Sequence, residues 1–148
     1  AQAVFKREPQ SAADAFSTEA KPSELTHWPI QMHLINPAAD FFHGKDMVLA
    51  ADCTAFALGD FHARFMKGKI LAIACPKLDE GQEEYIEKIR RMADEAEINT
   101  LTVIIMQVPC CRGLIQIAQA GLNKATRKVP LKAVTVGIKG EILSEEWI

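Results

Sequence analysis

Three short apolar runs constrain this chain more than any other feature: 47–51 (Met-Val-Leu-Ala-Ala), 70–74 (Ile-Leu-Ala-Ile-Ala) and 101–106 (Leu-Thr-Val-Ile-Ile-Met). Each is too short for a buried helix, and none shows the strict apolar/polar alternation of a strand with one wet face. Runs of this kind are strands covered on both faces, the arrangement found in parallel sheets. The stretches between them are long enough for crossover helices, and alternating strand and helix with short connections gives right-handed βαβ units.

The intervening segments fit that reading. After the first run, Ala57, Leu58, Phe61 and Phe65 stand at helical spacing, with Thr54 as N-cap and Gly68 as stop, which predicts a crossover helix. The second run leads into the clearest helix of the chain. Its stripe is Tyr85, Ile86, Ile89, Met92, Ala93 and Ala96, backed by Glu83, Glu84, Glu87, Lys88, Arg90, Arg91 and Asp94, with Asn99 closing it. Leu114, Ile115, Ala118 and Leu122 mark a further helix, 133–138 a fourth strand, and Lys139-Gly140 a turn into a short hairpin through 141–143. Upstream, Ile30, Met32 and Leu34 alternate with Gln31 and His33, predicting an edge strand over 29–35; Asn36-Pro37 breaks it, and Phe41 and Phe42 cap a short turn or helix.

The expected fold is a single three-layer α/β domain over 23–148, with a mostly parallel four- to five-stranded sheet, helices on both faces and a C-terminal hairpin. Residues 1–22 are rich in Ala, Ser, Glu, Lys and Pro and read as a flexible arm or linker, with one helical turn around 12–16. A length of 148 residues, about half of them hydrophobic, suits one core. The 17 basic and 19 acidic residues are well mixed, so no footprint for nucleic acid or an acidic membrane is expected. No run approaches the roughly 20 apolar residues that span a bilayer, and no signal segment opens the chain, which points to the cytoplasm. The missing initiating Met leads us to expect a processed form or a piece of a longer protein.

All four cysteines fall just after the apolar runs: Cys53 after the first, Cys75 after the second, and the pair Cys110-Cys111 after the third. In an open parallel sheet the carboxyl ends of the strands share one edge, and ligands bind there. A lone cysteine in such a place is often only a small buried hydrophobe; four of four at strand ends favour a joint metal or redox site. Thiolates bind zinc, mononuclear iron or an iron-sulphur cluster. Neither a C-x-x-C knuckle nor a ferredoxin run of cysteines is present, so the site would be assembled from distant segments. His62 is the candidate nitrogen ligand, if its helix crosses the crevice; His27, His33 and His43 read as surface or local groups. Asp52 stands beside Cys53 as a possible orienting group or base. Arg112 and Gly113 lie where a helix begins and are candidates for holding an anionic cofactor or lowering a thiol pKa.

The segments His27-Trp28-Pro29-Ile30-Gln31, 49–57 (Leu-Ala-Ala-Asp-Cys-Thr-Ala-Phe-Ala), Phe61-His62, Cys75-Pro76-Lys77-Leu78-Asp79 and Val108-Pro109-Cys110-Cys111 resemble the domain that follows ferredoxin-type modules in iron-sulphur cluster-binding proteins of anaerobic bacteria and archaea. The likeness covers roughly residues 23 to 143. It implies a redox setting and a partner that is either an N-terminal ferredoxin module, absent from this sequence, or a separate electron-transfer protein. The usual family form has Gly where Arg112 stands here.

Three functions follow as expectations. The first is a zinc- or iron-binding domain of a ferredoxin-like redox protein, with Cys53, Cys75 and Cys110 or Cys111 as ligands and His62 as the fourth. The second is a zinc-dependent enzyme whose site is similar in outline to that of the β-class carbonic anhydrases. The third is a thiol switch in which Cys111 and another cysteine interconvert between dithiol and disulfide.

Overall fold

The computed structural model describes residues 20–148. The three apolar runs are strands with the expected bounds: β1 (Met47–Ala51), β2 (Ile70–Ala74) and β3 (Leu101–Met106). With β4 (Leu131–Val136) and β5 (Ile142–Trp147) they form one five-stranded sheet in the order β2-β1-β3-β4-β5. The first four strands are parallel and β5 returns antiparallel to β4, giving the C-terminal hairpin. Every residue of β1 and β3 is buried, whereas β5 is mostly exposed, so apolar continuity tracked position within the sheet.

Three helices connect the strands: α1 (Thr54–Ala57), α2 (Gln82–Asp94) and α3 (Gly113–Lys124). The step from β1 to β2 runs in one direction along the sheet, and the steps from β2 to β3 and β3 to β4 run in the other. Right-handed crossovers therefore put α1 and the turn after it on one face, with α2 and α3 together on the opposite face. These two helices approach so closely at Gly121 that an added Cβ would lie 2.6 Å from the Ile89 Cβ and 2.9 Å from the Ile86 carbonyl oxygen. No helix among the described residues is long and apolar enough to cross a membrane.

Four expectations are corrected. The crossover helix from 54 to 68 is broken: α1 ends after a single turn, Leu58 is extended, and the chain resumes as a π turn over His62–Met66. Leu58, Phe61 and Phe65 are all buried, so the burial pattern is kept although the helix is not continuous. Gly59, a poor helix former, stands at the break. Thr54 is the first helical residue and not the cap, its hydroxyl donating to the Ala51 carbonyl at 2.8 Å. The edge strand over 29–35 shrinks to one parallel bridge between Gln31 and Ile73. There the Ile73 N–H donates to the Ile30 carbonyl (2.8 Å) and the Met32 N–H to the Ile73 carbonyl (2.9 Å), while the Leu71 N–H is taken by His27 Nε2 (2.9 Å). The outer edge of β2 is thereby capped without a full strand. β4 begins two residues before the expected 133, and β5 outruns the expected 141–143. The helical turn expected around 12–16 lies outside the described residues, as does most of the arm assigned to 1–22.

Candidate functional site: a thiol-lined cavity at the carboxyl edge

The sheet order settles what the sequence left open about the cysteines. β2, β1 and β3 are consecutive neighbours, so the loops that follow them lie side by side at one edge. The chain leaves β1 toward β2 and later leaves β3 toward β4, and the crevice of an α/β sheet opens at such a reversal. A cavity of about 210 Å³ lies there, lined by all four cysteines together with Asp52, Pro76, Met106, Val108 and Ile138 among others. All four are free thiols.

Each loop presents its thiol differently. Cys53 is the residue before α1 and is exposed. Cys75 opens a tight Cys-Pro-Lys-Leu-Asp turn. Its N–H donates to Asp79 Oδ2 (2.9 Å), the Asp79 N–H returns to the Cys75 carbonyl (2.8 Å), and the Leu78 N–H points at the Cys75 Sγ (3.4 Å). Cys110 and Cys111 lie on a 3₁₀ turn, Pro109–Cys111, with Cys110 exposed and Cys111 buried. Burial pushes the Cys111 thiol up, partly offset by a backbone hydrogen bond at Met106, and the neighbouring sulphurs of Cys110 and Cys53 push it further in the same direction. For Cys111 the net direction is upward, whereas Arg112 and Gly113 were candidates for lowering a thiol pKa.

Asp79 is a residue the sequence reading missed. Besides the Cys75 amide, its Oδ2 accepts the Tyr85 hydroxyl (2.5 Å) and Gln31 Nε2 (3.2 Å), tying the Cys75 turn to α2 and to the capping segment of β2. Burial, followed by that hydrogen bond, pushes the Tyr85 phenol upward. The spacing from Cys75 to Asp79 was the available signal, because a carboxylate four residues on can close a turn on the first amide. Asp52 behaves differently: burial, then the negative charge of Asp79, raises its carboxyl pKa, and its Oδ1 is buried with no hydrogen-bond partner.

Other expected site residues lie elsewhere or act otherwise. His62 is not part of the cavity lining; its Nδ1 accepts the Glu24 N–H at 3.1 Å, holding the incoming chain against the π turn. Without the continuous helix, His62 is not carried over the crevice. Arg112 is exposed at the start of α3. At Gly113 an added Cβ would lie 3.3 Å from the Pro76 Cβ, so the close approach of the β2 and β3 loops falls there and not at position 112. Among the described residues no group of three or more His, Cys, Asp or Glu side chains is placed so that it could hold a metal ion. Two large apolar side chains, Phe56 (93% exposed) on α1 and Leu78 (80% exposed) on the Cys75 turn, are exposed close in sequence to Cys53 and Cys75.

A similar protein, an uncharacterized protein of Archaeoglobus fulgidus, is 28% identical over 119 residues, covering 80% of this chain and 83% of its own length. No solved structure matches the chain. Residues 39–148, which hold the whole sheet and all four cysteines, match the family described as Rossmann-like domain, and the chain belongs to that family.

Proposed function

We propose that the thiol-lined cavity binds a zinc or iron centre, as a mononuclear ion or an iron-sulphur cluster, and that the domain serves a ferredoxin-like redox protein in the cytoplasm. One observation carries the reading: three loops that are distant in sequence bring every cysteine of the chain to one cavity. Thiolates are the ligands that zinc, iron and their sulphide clusters share. The ligands are Cys53, Cys75 and one of Cys110 and Cys111. His62 is left out, because it faces Glu24. The side chains do not stand ready-made around a metal, so binding requires the thiols to turn inward; Cys53 and Cys110, both exposed, have the room to do so. The ferredoxin-type partner, as a joined module or a separate protein, is supported by the resemblance of the cysteine-bearing segments.

Metal and sulphide analysis of protein purified without oxygen tests this reading. The expected result is about one zinc or iron centre per chain, lost when Cys53 and Cys75 are both replaced by Ser. Protein free of zinc, iron and sulphide, with four reactive thiols, overturns it.

A second reading, the thiol switch, is favoured by one specific arrangement. Cys110 and Cys111 are adjacent in the chain and line one cavity with Cys53. Two of these thiols would lose two protons and two electrons to a disulfide oxidant, forming one S–S bond and leaving the oxidant as two thiols. Counts of reactive thiols that stay the same with and without reductant remove this alternative.

A further inference from the structure

The broken crossover after β1 leaves a hollow. Where one continuous helix was expected, α1 and the π turn His62–Met66 together line a second cavity, of about 230 Å³. β1, β2 and the segment that enters the domain supply its other walls, and Leu25, Ile30, Phe61, Met66, Leu71 and Ile73 make its surface apolar. The polar side chains of the lining have little to offer a ligand. The Thr54 hydroxyl is spent on the Ala51 carbonyl, His62 Nδ1 accepts the Glu24 N–H, and neither Lys nor Arg is present. Asp52, the one acidic group, opposes an anion. A buried water needs 2–4 polar partners, whereas an apolar cavity of about 150 Å³ stays dry and takes up benzene. Phe56 adds a second observation: it belongs to the lining and is still 93% exposed, so it stands at the mouth. Single π turns also recur at functional sites.

We propose that this cavity binds a small neutral molecule, mainly apolar and of about eight to ten non-hydrogen atoms, with Phe56 as its outer wall. The size follows from the volume, which is about half as large again as a hollow that takes benzene. Neutrality follows from the lining. A carboxylate or phosphate would meet no cation there, and burying an unpaired charge costs far more than apolar contact returns. The site goes beyond the metal reading and is independent of it, since no thiol takes part. The two cavities share Ala51 and Asp52 as a common wall, so the bound molecule lies next to the thiols, and a test has to locate it as well as detect it.

The test is a titration of the whole chain, reduced and metal-free, with ethylbenzene, followed through the backbone amide resonances. Saturable 1:1 binding is expected, with a Kd of about 0.1–1 mM, the scale for so small a ligand. The largest shifts should fall at Phe61, Met66, Leu71 and Ile73, and nuclear Overhauser effects from the ring to the Leu71 and Ile73 methyls locate the molecule without any variant. Benzoate, of similar size but charged, should bind at least about tenfold more weakly. Phe56→Ser should weaken ethylbenzene binding about threefold or more, through loss of the outer wall. Shifts that never saturate, or that centre on Met106 and Ile138 of the thiol cavity, overturn the site. Equal binding of benzoate overturns the ligand class, and an unchanged affinity in Phe56→Ser overturns the part given to Phe56. None of these outcomes bears on metal binding, which is measured separately.

Discussion

Asp79→Ala removes the single oxygen that ties the Cys75 turn to the rest of the domain. Three donors converge on Oδ2: the Cys75 amide at 2.9 Å, the Tyr85 hydroxyl at 2.5 Å and Gln31 Nε2 at 3.2 Å. Hydrogen bonds to a charged acceptor contribute about 1.5–3 kcal/mol each, but Asp79 is half-buried, and water can replace it for the amide and for Gln31. The Tyr85 ring is 1% exposed, so its hydroxyl is the donor least able to recover a partner. Relief of the repulsion between Asp79 and Asp52 returns part of the loss. The expected net cost is about 2–3 kcal/mol, and with a urea slope of about 1–3 kcal/mol per molar the unfolding midpoint falls by about 0.7–3 M. Tyr85→Phe alone should cost about 1 kcal/mol, and the double variant should be little worse than Asp79→Ala, because the two act through one bond. Loosening of the turn also removes the Leu78 amide from the Cys75 sulphur, so Cys75 should be alkylated faster in Asp79→Ala. Strictly additive losses in the double variant, or an unchanged midpoint with unchanged Cys75 reactivity, would refute the reasoning.

Other perturbations probe the frame and the rim. Gly121→Ala gains about 1 kcal/mol of helix propensity, yet its Cβ meets Ile89 at 2.6 Å and the Ile86 carbonyl at 2.9 Å, so overpacking near the top of the usual range of about 1–3 kcal/mol wins. A lower melting temperature is expected, and a rise would show that the two helices can separate freely. His27 is neutral in the fold, with Nε2 accepting the Leu71 N–H at 2.9 Å, and burial holds its pKa below 6.5. The unfolded chain therefore binds the extra proton first, so stability falls as pH drops below about 6.5, and His27→Gln should flatten that slope in urea midpoints measured from pH 8 to 5.5. Phe56→Ser, at a side chain 93% exposed, should move the urea midpoint by no more than about 0.5 kcal/mol-equivalent. A larger loss would mean that Phe56 packs on something in solution.

The buried half of the sheet was legible in the sequence because a strand covered on both faces needs no polar position, and 47–51, 70–74 and 101–106 offered almost none. The limits of β4 and β5 were harder to read. Lys132 lies inside β4 and pairs opposite Trp147, and the charged β5 resembles a loop when judged by composition. Periodicity misled at 54–68 for a definite reason: a one-turn helix, a turn and a π turn bury Leu58, Phe61 and Phe65 as a continuous helix would, yet they leave His62 facing Glu24. The convergence of the cysteines was legible only up to strand order, which the sequence did not reveal. The Asp79 network joins residues from three segments, and no local pattern encodes Gln31 or Tyr85 as its members.

The order of the strands also sets a timetable for the chain during synthesis. β1 and β2 can pair as soon as residue 74 has emerged, but that pair offers only Cys53 and Cys75. The cysteine pair arrives after β3, which docks on the free side of β1, so the cavity closes only once more than two-thirds of the sequence is made. A chain made only as far as residue 75 presents two thiols and not four, so the full set of thiols meets only after β3 has docked. A ligand that then spans the three loops fastens segments far apart in sequence and stabilises the sheet as a whole.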